Sequence, residues 1–149
     1  MTDSYETNLS ILHGEDDSAD VRIVTRILEQ MGHGGEYLNL PNGEMIIDRV
    51  LGRGEYQNYV NRKPDIIILD IGLLGMDGKE VLDFLKQHDQ AKAIPVIILS
   101  GSNSMRDYKD CVRLGCNGYL QKSWAIEEFS ENFRLLIRCW SRILNQNFF

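Results

Sequence analysis

Pro64-Asp65-Ile66-Ile67-Ile68-Leu69-Asp70 is the stretch on which the reading of the fold turns. The apolar run between the two aspartates is too short for a buried helix, and it has no polar residue to face water. It therefore reads as a strand covered on both sides, as in a parallel sheet. The strand delivers one carboxylate, Asp70, at its far end, and Gly72-Leu73-Leu74-Gly75-Met76-Asp77-Gly78 then opens into a loop. Ligands of open α/β sheets bind beyond the carboxyl ends of the strands, which is where Asp70 would sit. On this strand alone, a residue that only caps the loop or the next helix explains Asp70 equally well.

Working outward, strand and helix periodicities alternate. After a polar tail over residues 1–7, Leu9-Ser10-Ile11-Leu12-His13 gives a first strand that ends in Gly14-Glu15-Asp16-Asp17. Val21, Val24, Leu28 and Met31 recur at helical spacing between Ser18, read as an N-cap, and Gly32, and Asp17 is also read as a cap. Residues 36–40 alternate weakly as a second strand, and Met45, Ile46, Val50 and Leu51 mark a short helix after the Pro41-Asn42-Gly43 turn. Residues 52–63 are polar and glycine-bearing, a surface insertion in which Tyr56 and Tyr59 are packing residues.

Downstream of Asp70, Asp77 is a turn residue, and Val81, Leu82, Phe84 and Leu85 give a third helix. Pro95-Val96-Ile97-Ile98-Leu99 is another apolar strand, ending at Ser100-Gly101-Ser102. A fourth helix over 104–114 has a thin apolar stripe, as suits a moving element. Gly118-Tyr119-Leu120-Gln121-Lys122 is the last strand, and the final helix carries Ile126, Phe129, Phe133, Leu136, Ile137, Trp140, Ile143 and Leu144. The alternation implies an α/β fold, a doubly wound five-stranded parallel sheet.

At 149 residues, 43% of them hydrophobic, the chain suits a single domain over 1–149. The net charge of -6 and the lack of a Lys/Arg cluster argue against a nucleic-acid surface. No run approaches the ~20 apolar residues that span a bilayer, and the start is unlike a signal peptide, so no membrane association and a cytoplasmic location are expected. Cys111, Cys116 and Cys139 lack Cys-x-x-Cys spacing and read as buried or inert thiols. His13 is read as a packing residue pointing away from Asp16, and His33 and His88 as solvated. Trp124 suits either the core or a partner surface.

With the first, third, fourth and fifth strands as parallel neighbours, Glu15, Asp16, Asp70, Ser100 and Lys122 converge at their carboxyl ends. Carboxylates from two strands, a backbone carbonyl and waters make a hard oxygen site suited to Mg2+. In such a site Asp70 is the nucleophile that forms an aspartyl-phosphate, Lys122 a point positive charge, and Ser100 a hydrogen-bond donor to phosphoryl oxygens.

These motifs resemble the receiver domain of two-component response regulators over nearly the whole chain. They are Glu15-Asp16, Leu69-Asp70, Gly75-Met76-Asp77-Gly78, Ser100-Gly101 and Gly118-Tyr119-Leu120-Gln121-Lys122, and the intervals from Asp70 to Ser100 and Ser100 to Lys122 look like the family's spacing. The resemblance implies a flavodoxin-like (βα)5 fold with an extended C-terminal helix. It further implies Mg2+ held by Asp16, Asp70 and the carbonyl of Gly72, with Glu15 assisting through water. Asp70 would take a phosphoryl group from a phosphohistidine of a sensor histidine kinase. Ser100 and Tyr119 would then move inward and remodel the face of the fourth helix, fifth strand and fifth helix for an unidentified downstream protein. That is a phosphoacceptor switch and not an enzyme with an external substrate. The insertion before Asp70, Leu40-Pro41-Asn42-Gly43, Lys122-Ser123 and the tryptophan of the last helix are similar to single-domain regulators of phytochrome-type histidine kinases.

The alternative is a phosphorylation-independent receiver-like adaptor. A haloacid-dehalogenase type of enzyme is opposed by Gly72, where that class carries a second acid, and dinucleotide binding by the lack of a Gly-x-Gly-x-x-Gly motif. Leu74 and Ser123 stand where the family commonly has proline, which should loosen both loops. Gly14, Gly72 and Gly101 should leave the pocket open to water and the aspartyl-phosphate short-lived. The extension over 138–149 is too apolar for a solvated tail. It either packs on a second copy in a dimer or on the kinase, or folds back over its own sheet.

Overall fold

The isoleucine run forms β3 (Ile66–Asp70), the central strand of a parallel sheet. The computed structural model describes residues 7–123 and 125–145. The other strands are β1 (Ile11–Gly14), β2 (Tyr37–Leu40), β4 (Val96–Ser100) and β5 (Gly118–Gln121), in the order β2-β1-β3-β4-β5. Between them run α1 (Ser18–Gln30), α2 (Gly43–Leu51), α3 (Gly78–Gln87) and α4 (Met105–Arg113), and α5 (Ile126–Leu144) follows the last strand.

Both faces of the sheet are covered, as the uniform apolarity of β3 demanded. Ile67 and Leu69 point into one core with Ile46, Val50, Val81, Leu82 and Cys111 from α2, α3 and α4. Ile66 and Ile68 point into the other with Val24, Ile27, Phe129 and Phe133 from α1 and α5. All four residues of the run are fully buried, each removing on the order of 1.5–3 kcal/mol of apolar side chain from water.

Several local expectations change. Thr7 is buried, and its backbone carbonyl accepts from the Gly34 amide, so it belongs to the fold and not to a tail; the rest of 1–7 lies outside the described residues. Of the two residues read as caps before α1, Asp17 holds the role, its carboxylate accepting from the Ala19 amide, and Ser18 does not. Asp77 is the N-cap of α3, in a capping box with Glu80. The polar insertion contains a short 3-10 helix over Gly54–Tyr59, with the Arg49 guanidinium stacked 4.3 Å above the Tyr59 ring. Neither His33 nor His88 is simply solvated: His33 hydrogen-bonds Thr7 Oγ1 and buries its Nε2, and His88 stacks on Phe84.

The extension continues α5 to Leu144, with Trp140 packed against its own core and Ile143 half exposed. Trp124, Phe148 and Phe149 lie outside the described residues. No helix among the described residues is long and apolar enough to cross a membrane.

Candidate functional site

The sheet reverses its strand order between β1 and β3, and the crevice beyond their carboxyl ends is where this topology places a ligand. Register does the aligning: Gly14 pairs with Leu69, Asp70 with Leu99, and Ser100 with Gln121. Glu15, Asp70, Ser100 and Lys122 are thereby brought to one edge. The Asn39 side-chain amide fixes the end of β1 by donating to the carbonyls of His13 and Glu15, 3.0 Å each. At the other wall, α3 starts so close to the strand that a Cβ on Gly78 would lie 2.4 Å from the Asp70 carbonyl oxygen, so only glycine admits this approach.

Carboxylate oxygens of Glu15, Asp16 and Asp70 lie within 4.8 Å of one another. Three acids so close repel unless a cation sits among them, and an all-oxygen donor set from two strands fits a hard divalent ion. Glu15 is 2% exposed while Asp16 is open to solvent, so the site is accessible from one side. Lys122 Nζ supplies the nearest positive charge, donating to Asp20 at 2.7 Å, Glu15 at 2.8 Å and Asp70 at 3.2 Å. Burial pushes the Glu15 carboxyl up to about 7 against the pull of the Lys122 ammonium. Burial also works against the charge on Lys122, but its hydrogen bonds to Asp20 and Glu15 outweigh that and raise its pKa.

Ser100 is buried, and its hydroxyl accepts from the Ser102 amide at 3.0 Å. Tyr119 is half-buried with its hydroxyl already out of water and unpartnered among the described residues; Tyr108 lies edge-on at 5.3 Å. A Cβ on Gly72 would meet Asp70 Oδ2 at 3.4 Å, and one on Gly101 would meet nothing within 4 Å, so both positions border open space. Gly14 does not: a Cβ there would lie 2.4 Å from Ile46 Cδ1, so the room is filled by core and not by water. Asp20 escaped the sequence reading. Its only signal was an acid in the first turn of the helix that follows the acidic loop, a position more often ascribed to the helix dipole. His13 lies buried in β1, sharing a 2.7 Å hydrogen bond with the Tyr37 hydroxyl and contributing nothing to the acidic cluster.

Comparison with known proteins gives a consistent picture. The family described as "Response regulator receiver domain" matches residues 11–134. The response regulator Rcp1 of Synechocystis sp. is 35% identical over 128 residues, which cover 86% of each chain. Its solved Mn(2+)-bound form superposes with a TM-score of 0.79 at 32% identity, covering 93% of this chain and 96% of that one. The phosphorylated cyanobacterial phytochrome response regulator RcpA superposes with a TM-score of 0.83 at 29% identity, covering 89% and 94%.

Proposed function

We infer that this chain, which belongs to the family of response regulator receiver domains, accepts a phosphoryl group on Asp70 and signals through contacts that depend on it. One observation carries the reading. A lysine 107 residues from Glu15 and 52 from Asp70 reaches both carboxylates at the mouth of the crevice, an arrangement with no role in core packing.

Glu15, Asp16, Asp70 and the carbonyl of Gly72 would hold Mg2+, whose charge makes the acceptor carboxylate approachable by a phosphoryl group. The likeness to an Mn(2+)-bound regulator supports a divalent ion there. An Asp70 carboxylate oxygen attacks the phosphorus of a phosphohistidine on a sensor histidine kinase; the P–N bond breaks and the imidazole leaves with the electron pair. Lys122 then donates to phosphoryl oxygens, and Ser100, whose hydroxyl so far only accepts from the Ser102 amide, moves toward the group and donates its O–H. Tyr119 follows, and α4, β5 and α5 present a changed face to a downstream protein.

The likeness to phytochrome regulators makes a phytochrome-type kinase the proposed donor. The chain acts as a single cytoplasmic domain over 1–149, as a switch and not as an enzyme with an external substrate. The exposed end of α5 supports pairing with a second copy.

Incubation with Mg2+ and a small acyl phosphate, followed by intact mass, tests the acceptor. One phosphoryl group should be gained, and Asp70→Asn should gain none. Beryllofluoride with Mg2+ should change tryptophan fluorescence in the parent only. No response to either reagent would overturn the phosphoacceptor in favour of a phosphorylation-independent adaptor.

A further inference from the structure

Lys122 is more heavily engaged than its assigned role requires. An ammonium has three N–H donors, and Asp20, Glu15 and Asp70 occupy all of them. A phosphoryl group on Asp70 can gain a hydrogen bond from this lysine only by displacing one of those carboxylates. Glu15 yields less readily, because its side chain is 1% exposed and no water can replace the lysine there. Asp70 is the group being modified. Asp20 is different: its side chain is 30% exposed, it stands in the first turn of α1, and water can solvate it when the lysine leaves. Asp20, Lys122, Ile23, Ile126 and Phe129 also line a small cavity of about 60 Å3 between α1 and the start of α5, which gives the end of the lysine side chain room to shift.

We propose that Asp20 is a holding partner for Lys122: it occupies the ammonium in the unmodified protein, yields it to the phosphoryl group, and thereby sets how readily the site is filled. The proposal rests on the reading of Asp70 as phosphoacceptor. Asp20 does not touch the reacting atoms, so it is a positioning residue. Its contact exists only before modification, and a contact present in one state alone biases the equilibrium toward that state. Removing it must therefore favour the phosphoryl-bound form, the opposite of what loss of a supporting residue would do.

The test is a beryllofluoride titration at saturating Mg2+, read by intrinsic tryptophan fluorescence. Asp20→Asn should lower the half-saturating concentration about fivefold, equivalent to about 1 kcal/mol on the scale where tenfold is 1.4 kcal/mol. Asp20→Glu, which keeps the charge, should return it toward the parent. Asp20→Ser, suited to a helix start, should repeat the Asn result if the first variant folds poorly. Glu29→Gln, an exposed charge at the far end of α1, should leave the value unchanged. An unchanged or higher half-saturation in both neutral Asp20 variants overturns the proposal, as does an equal shift in Glu29→Gln. A parent that ignores beryllofluoride overturns the phosphoacceptor reading itself and the proposal with it.

Discussion

His13 shows how much one residue's surroundings can decide. It is fully buried in β1, with Nδ1 bonded to the Tyr37 hydroxyl and Nε2 unpartnered among the described residues. Burial, aided by the nearby Lys122 charge, holds its pKa down at about 3. The native state therefore refuses a proton that the unfolded chain takes up near pH 6.5. Stability from this depressed group is complete above pH 6.5 and is lost as pH falls toward 3. Glu15 has the opposite sign: its raised pKa of about 7 gives stability that is present below its unfolded value of 4.5 and is lost as pH rises through 7. The parent alone therefore mixes two opposed slopes, and the variant comparison separates them. His13→Leu should gain stability relative to the parent by about 1.4 kcal/mol per pH unit as pH falls from 6.5 to 4.5, measured by urea unfolding. A constant difference across that window would refute the buried neutral histidine. Neither the depth of burial nor the Tyr37 contact was legible from residue 13 alone, since both depend on β2 pairing alongside β1.

Among the five α-helices, α4 is the least anchored by apolar contact. Cys111 is its one buried residue, while Met105, Tyr108 and Val112 are 63%, 45% and 51% exposed. What holds it is ionic: Lys79 at the start of α3 donates to Asp107 at 2.6 Å and Asp110 at 2.9 Å. Those hydrogen bonds lower the pKa of both aspartates and raise that of the lysine, burial of Lys79 opposing weakly. A helix held by solvated charges at one point shifts more easily than one keyed into a core. Lys79→Met should produce a severalfold rise in amide hydrogen exchange across residues 105–113, with exchange in β3 unchanged. Exchange that stays at the parent level would mean that Cys111 and the Tyr108–Tyr119 contact suffice. The thin stripe of this helix was readable from sequence; its clasp was not, because the lysine lies in a different helix.

For the whole molecule, the end of α5 bears on assembly. Trp140 is committed to its own core, which leaves Ile143 and Leu144, 50% and 39% exposed, as the described apolar residues of the extension open to a partner. The proposed pairing predicts that the parent sediments as a dimer and that a double Ile143→Glu, Leu144→Glu variant, which keeps Trp140, sediments as a monomer. A parent of monomeric mass would defeat the dimer. The architecture itself was written in the chain. Apolar runs at β3 and β4, helical stripes between them and acids just past the strands specify a parallel sheet covered on both faces, with polar groups at its carboxyl edge, because periodicity and burial are local properties of sequence. Tertiary structure decided what those polar groups do to one another. The exclusion of water from Gly14 by Ile46, the isolation of His13 and the capture of Lys122 by Asp20 each join residues far apart in the chain, and they follow from strand register and helix packing, which sequence pattern constrains only in aggregate.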